Sequence, residues 1–295
     1  MNNYILSCCS TADLSKEHFT KRDIHYVCFH FMLDDDTYPD DLGESIAFKD
    51  FYQKMRDGAM TKTSQVNVDE FIEYFRPFLE NGQDILHLTL SSGISGVHNS
   101  ACIARDMLLE DFPDRKIYIV DSLTASSAYG LIMETLADKR DAGEDIDTLY
   151  QWTTEHLLEM NLWFFSNTLT YYIRGGRVSK ASGTIGNMLN ICPMLIADKE
   201  GKLQVVDKIR TKRKTIKELV GRMETYATNN LDYDGKCFIT HSDSLEDAQA
   251  VAALVEEKFP KLNGKVQIFD IGTVIGSHTG PGTVTLAFWG KEREV

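Results

Sequence analysis

Along the chain, short apolar runs of strand length alternate with longer stretches whose apolar residues recur every three to four positions. Residues 4–8 read as a first buried strand. Residues 24–33 read as a second, long and apolar, followed by the acidic turn Asp34-Asp35-Asp36. Helical spacing follows at 48–55 and again at 68–79, where Phe71, Ile72, Phe75 and Leu79 share one face. Residues 85–90 then predict a buried strand, 95–109 a helix, 116–120 a strand and 125–138 a helix. Strands and helices in this succession build a largely parallel sheet through right-handed crossovers.

The rhythm pauses near residues 143–147, and a helix over 146–160 leads out of this first unit. A short apolar segment at 162–165, a helical turn ending at Gly175-Gly176 and a short helix at 185–189 come next. A hairpin follows, its arms at 194–197 and 203–207 joined by Asp198-Lys199-Glu200-Gly201. A helix at 215–227, a strand at 237–240, a helix at 245–259 and strands at 266–270 and 283–289 complete a second unit. Hairpins beside crossovers predict a mixed sheet there. The expected fold is therefore α/β, with no internal repeat and no low-complexity linker. Two domains are expected: an N-terminal, Rossmann-like α/β/α domain over 1–160 and a C-terminal α/β domain over 161–295.

The composition narrows the classes of function. With 43% hydrophobic and 25% charged residues, the chain reads as an ordinary globular protein. Its longest purely apolar run, residues 191–197, contains Pro193 and falls well short of the roughly 18 to 20 residues that span a bilayer. Met1-Asn2-Asn3 carries neither a basic flank nor an extended apolar region, so no secretory signal is expected and the protein is placed in the cytoplasm. Six cysteines lie mostly in apolar segments without a C-x-x-C spacing, which suits a reducing compartment and argues against a zinc site. A net charge of −13 repels nucleic acid over the molecule as a whole. The local exception is the basic cluster Lys208-Ile209-Arg210-Thr211-Lys212-Arg213-Lys214, read as a solvated strand end and first helical turn.

Candidate chemistry concentrates in Leu88-Thr89-Leu90-Ser91-Ser92-Gly93-Ile94-Ser95-Gly96, directly after a strand and directly before a helix. Ligands gather at such strand ends, where the helix start offers unpaired N–H groups and a partial positive charge to an anion. Gly93 and Gly96 let the backbone approach that anion, and the hydroxyls of Ser91, Ser92 and Ser95 can donate to it. The bland alternative is one capping serine and a polar turn. Thr61-Lys62-Thr63-Ser64-Gln65 supplies further small donors just before a helix, and residues 276–282 form a glycine-rich loop centred on His278. The arginines of Arg174-Gly175-Gly176-Arg177 flank what reads chiefly as a helix C-cap. No nucleophile elbow, phosphate-binding loop, dinucleotide fingerprint or metal spacing appears, so no catalytic or metal residue is assigned. Residue chemistry alone thus reaches an α/β protein that binds a small anion.

Taken together these segments resemble the DegV family over nearly the whole chain. The family's T-S-Q-P-S stands here as Thr63-Ser64-Gln65-Val66-Asn67, its S-S-G-L-S-G-T-Y-x-S-A as Ser91 to Ala101, and its K-G-G-R-I-S as Arg174-Gly175-Gly176-Arg177-Val178-Ser179. I-K-P follows as Ile191-Cys192-Pro193 and H-x-G-P-G as His278-Thr279-Gly280-Pro281-Gly282, while Tyr118-Ile119-Val120-Asp121-Ser122 resembles the family's V-x-D-S strand end. One departure is Cys9, which replaces the first aspartate of D-S-T-x-D-L, a residue near the presumed pocket in the family; another is Val66 in place of proline.

The resemblance implies a two-domain protein that binds a long-chain fatty acid between its domains, without a further cofactor. Thr63 and Ser95 would hold the carboxylate, with Ser64, Gly96, His278 and Arg210 beside it. It also implies, for some bacterial members, a role as the lipid-binding subunit of a fatty acid kinase, presenting the acid to an ATP-binding partner that makes acyl phosphate. The competing expectation is a hydrolase or acyl transferase with Ser95 as nucleophile and His278 as base.

Overall fold

The computed structural model describes residues 4–179 and 191–294; the short helix expected at 185–189 lies outside them. In chain order the first half comprises β1 (Tyr4–Cys9), α1 (Lys16–Lys21), β2 (Ile24–Val27), β3 (His30–Leu33), β4 (Asp36–Pro39), α2 (Phe48–Arg56) and β5 (Thr61–Ser64). It continues with α3 (Val68–Glu80), β6 (Asp84–Thr89), α4 (Val97–Asp111), β7 (Ile117–Asp121), α5 (Ser126–Asp141) and α6 (Ile146–His156). β2, β1, β6 and β7 form, in that order, a parallel sheet, with Leu6 of β1 opposite Ile24 on one side and Leu86 on the other. Every residue of β1 is buried, as expected of a parallel strand covered by helices on both faces. The helices supply that cover in two pairs, α3 with α4 and α5 with α6.

The second half comprises β8 (Met160–Phe165), α7 (Thr170–Arg174), β9 (Ile191–Ala197), β10 (Leu203–Arg210), α8 (Lys212–Tyr226), β11 (Phe238–His241), α9 (Leu245–Lys258), β12 (Gln267–Asp270), α10 (Thr273–Thr279) and β13 (Val284–Trp289). Six of its elements make a mixed sheet in the order β10-β9-β8-β13-β11-β12, in which only β11 and β12 run parallel. Helix α5 joins the two sheets. It carries Ala128, Leu131, Ile132, Met133, Leu136 and Ala137 all round its circumference, and every one is fully buried. A helix that is apolar on all sides belongs inside a protein. It packs on β1 of the first sheet and on β8, β11 and β13 of the second. On the far face of the mixed sheet, α8 and α9 close a separate core built around Trp163, Phe165, Leu219, Met223 and Val251.

Three sequence expectations change. The apolar run at 24–33 divides into β2 and β3 in different sheets, because the chain leaves the parallel sheet at Cys28-Phe29. Residues 61–64 are not donors at a helix start. They form β5, which pairs with β3 (Phe31 opposite Thr63) in a small antiparallel sheet ordered β4-β3-β5. The following helix α3 starts instead on its own capping box, in which Asn67 accepts from the Glu70 N–H and Glu70 accepts from the Asn67 N–H. Third, the glycine-rich segment holding His278 is helical through Thr279, as α10, and takes positive φ at Gly280 (67°) and Gly282 (99°).

Cys9 lies in the core of the parallel sheet and does not itself line the cavity described below, though its thiol meets the backbone of Leu90, which does. Its thiol sits 3.8 Å from Nε2 of the buried His87, whose Nδ1 is 2.8 Å from the Ser7 hydroxyl. Burial pushes the thiol up to about 12 and the imidazole down to about 3, so both are neutral at physiological pH. The departure from the family pattern thus places a neutral thiol one residue behind the cavity wall.

Candidate functional site

The C-terminal ends of the parallel strands, the small sheet, α10 and one face of the mixed sheet enclose a cavity of about 360 Å³. Its walls are mostly apolar, with Phe29, Leu90, Ile94, Phe164, Leu203 and Val274 among them. Hydroxyls that also line it are engaged with other protein groups. Thr285 bonds Ser127 and Thr240, each at 2.6 Å, and Tyr172 bonds Thr283 at 3.0 Å. Such satisfied groups leave the deep wall with little appetite for water.

One end of the cavity is polar and reaches the surface. Five of the six residues singled out from the sequence, Thr63, Ser64, Ser95, Gly96 and His278, line it together. Thr63 and Ser95 are half-buried there, while Ser64 and Gly96 are exposed. Thr63 Oγ1 is 2.8 Å from His278 Nε2. The Ser95 hydroxyl donates to Gln65 Oε1 at 3.4 Å and accepts the Val97 N–H at 3.3 Å, at the start of α4. Gln65 is fixed in turn by donating to Ser100 at 3.1 Å. Gly96 is the N-cap residue of α4, and that helix has no side-chain cap. Gly93 serves the protein more than an anion: a Cβ there would stand 2.5 Å from the Glu200 carbonyl, in the β9–β10 turn that packs on this loop.

Burial, and then the cations of Arg177 and Arg174, push His278 down to about 4 from its ordinary 6.5. The imidazole is therefore neutral at pH 7 and carries one proton. Its Nδ1 is buried without a hydrogen-bond partner and packs against Gly175, where a Cβ would come within 2.2 Å. An unpaired buried N–H is the costlier arrangement, so the proton belongs on Nε2, donating to Thr63 Oγ1. That leaves the Thr63 hydroxyl proton free to donate into the cavity.

Arg210 does not join this group. The register of β10 carries it to the exposed end of the edge strand, opposite Ile191, while Leu203 at the other end lines the cavity. Seven residues at about 3.3 Å each separate the two by roughly 23 Å. The cation that does line the polar end is Arg177, donating from Nε to the Ile94 carbonyl at 3.1 Å and from Nη1 to the Gly175 carbonyl at 2.6 Å. Gly175 caps α7 and Gly176 is left-handed, with φ of 75°, so the C-cap expectation holds; the same reversal turns Arg177 back toward the cavity. Its position just past a glycine pair was the available signal. Neither an acid behind His278 nor a Ser95–His278 hydrogen bond exists among the described residues, so the arrangement lacks the geometry of a nucleophile and its base.

Comparison with known proteins shows the family and fold. The family model described as "Uncharacterised protein, DegV family" matches residues 9–291. A DegV domain-containing protein of Clostridium perfringens is 37% identical over 294 residues, covering 100% of both chains. Among solved structures, a DegV family protein of Thermus thermophilus, described by its fatty acid binding, superposes with a TM-score of 0.85 at 25% identity, covering 98% of this chain and 100% of that one. The fatty acid kinase B3 protein of Streptococcus pneumoniae, loaded with linoleic acid, gives 0.83 at 23% identity over 99% and 100%, a likeness of fold.

Proposed function

Since the chain belongs to the DegV family, we propose that it binds a long-chain fatty acid, with the carboxylate at Thr63 and Ser95 and the tail in the apolar cavity. The observation that carries this reading is the polarity of that one cavity, apolar in its depth and hydroxyl- and imidazole-lined where it meets the surface. Burying roughly ten methylenes offers about 8 kcal/mol at ~0.8 kcal/mol each, before the costs of association. The tail thus supplies most of the affinity and the polar end fixes direction.

Neutral donors suit presentation. The Thr63 and Ser95 hydroxyls hold the carboxylate as neutral donors, with the Arg177 cation lining the same end, and the exposure of Ser64 and Gly96 leaves its oxygens reachable from outside. This supports a role as the non-catalytic, lipid-binding subunit that offers the acid to an ATP-binding kinase subunit in the bacterial cytoplasm. No helix among the described residues is long and apolar enough to cross a membrane. We retain the division near residue 160, since β8 starts at Met160 and its sheet includes no earlier strand. Native mass spectrometry of protein purified without delipidation tests the reading: one long-chain fatty acid per chain is expected. A uniformly empty species that also fails to take up oleate overturns it.

A further inference from the structure

We propose that Asp13 and Asp40 are positioning residues of this site, capping α10 from the opposite end of the chain and setting the height at which His278 meets Thr63. The inference rests on the carboxylate reading given above. Helix α10 has only seven residues, and its N-cap, Gly272, has no side chain to cap it. A helix this short is not stable alone, and its first N–H groups need partners from elsewhere.

Both carboxylates meet those groups. Asp13 Oδ1 accepts the Gly272 N–H at 2.9 Å, and Asp40 Oδ1 accepts both the N–H of Thr273 at 3.0 Å and its hydroxyl at 2.6 Å. Their other oxygens are occupied as well. Ser126 donates to Asp13 Oδ2 at 2.5 Å, and Ser10 donates to Asp40 Oδ2 at 2.8 Å. The two side chains flank one residue: a Cβ on Gly272 would stand 2.9 Å from Asp13 Oδ1 and 3.2 Å from Asp40 Oδ1. Both aspartates are almost wholly buried, at 3% and 1% exposure. Burial pushes both carboxyls above the ordinary carboxylate range, Asp13 well above it with Asp40 and Asp270 adding to the rise, while the donors at the start of α10 and from Ser126 and Ser10 pull back against it.

The rest of α10 is held to the same half of the chain. The Tyr52 hydroxyl donates to the Ile271 carbonyl at 2.6 Å, just before the helix. His278 then follows Thr273 by five residues, or about 7.5 Å of helical rise. A short rigid rod passes a displacement at its start on to its end. The 2.8 Å Thr63–His278 contact tolerates only about half an ångström before it leaves the normal hydrogen-bond range. The anchors also touch the tail compartment: Ser126 lines the cavity, and the Asp40 N–H donates at 2.8 Å to the carbonyl of Phe29, another lining residue. The Asp40–Phe29 bond is made by backbone, and Ser126 is also held by Thr240 at 2.7 Å, so the carboxylates themselves act chiefly on the head-group end.

The test compares a long-chain fatty acid with the primary alcohol of equal chain length, using delipidated full-length protein. Wild type should prefer the acid; absence of any preference would defeat the carboxylate reading itself. Asp40→Asn and Asp13→Asn should weaken acid binding about tenfold, the worth of one charge-assisted hydrogen bond, while alcohol binding stays within about twofold. Equal losses for acid and alcohol, or no loss for either, would overturn the positioning role while leaving the carboxylate site standing. Should the aspartate variants fail to fold, Thr273→Ala removes only the hydroxyl arm of the cap and should produce a smaller, still acid-selective loss, restored by Thr273→Ser. A Thr273→Ala protein with unchanged acid preference sinks the proposal.

Discussion

Replacing Thr63 by valine tests the polar end of the cavity with little change of shape. The substitution keeps both branches at Cβ and deletes one hydroxyl, the group 2.8 Å from His278 Nε2. In the wild type this hydroxyl accepts from the neutral imidazole and has its proton free for a ligand oxygen. A hydrogen bond to an ionised carboxylate is worth about 1.5–3 kcal/mol, so the dissociation constant for a long-chain acid should rise roughly 10- to 150-fold. The variant also leaves the His278 N–H unpaired in the empty protein. That lowers stability by about 1 kcal/mol, a modest value because the Thr63 side is only half-buried. Isothermal titration of delipidated protein with oleate measures the first quantity, and thermal unfolding the second. Unchanged oleate affinity, alongside the small loss of stability, would show that Thr63 supports the fold but does not touch the carboxylate.

Other perturbations separate the remaining parts of the account. His278 is held at about 4 against an ordinary 6.5, so between these values the unfolded chain binds the extra proton. Stability contributed by the neutral imidazole should be fully present above about pH 6.5 and be lost as pH falls through about 4; in His278→Gln this part of the pH profile should flatten, as read by urea unfolding. Burial alone would raise the Glu134 carboxyl, but His18, Lys236 and Arg22 outweigh it and hold the group at about 2. Glu134→Gln should cost about 3–5 kcal/mol at neutral pH. In chemical denaturation the difference from wild type should persist above about pH 4.5 and disappear as pH falls through about 2. Arg210→Ala should leave oleate affinity within about twofold, because the side chain is exposed at the end of edge strand β10 and does not line the cavity; a tenfold loss in the same titration would return Arg210 to the site.

What the sequence disclosed followed from locality. Ser95 was legible because its strand, turn and helix adjoin in the chain, and that succession reports a ligand site at a strand end. Thr63 was legible as a donor but not in its context. Its four-residue strand is too short and polar for a clear alternating pattern, and its partner β3 was hidden within one apolar run. His278 was expected in a loop because glycines at 276, 280 and 282 suggest turns, yet Gly276 lies inside α10 against the Tyr52 hydroxyl. Arg210 and Arg177 show the limit of local reading. The first is carried by strand register to an exposed strand end and the second is turned toward the cavity by a chain reversal, and both placements depend on tertiary geometry. The caps supplied by Asp13 and Asp40 span 259 and 233 residues, beyond the reach of any local pattern.

The central claim is one of direction: carboxylate outward at Thr63 and Ser95, tail inward against α10 and the mixed sheet. A crystal structure with a fatty acid brominated at its terminal carbon would locate the tail end by anomalous signal and the carboxylate by its electron density. The account predicts carboxylate oxygens within hydrogen-bond distance of the Thr63 and Ser95 hydroxyls and bromine in the apolar depth of the cavity. Bromine at the Ser95 end, or a fatty acid bound elsewhere with this cavity left to water, would contradict it.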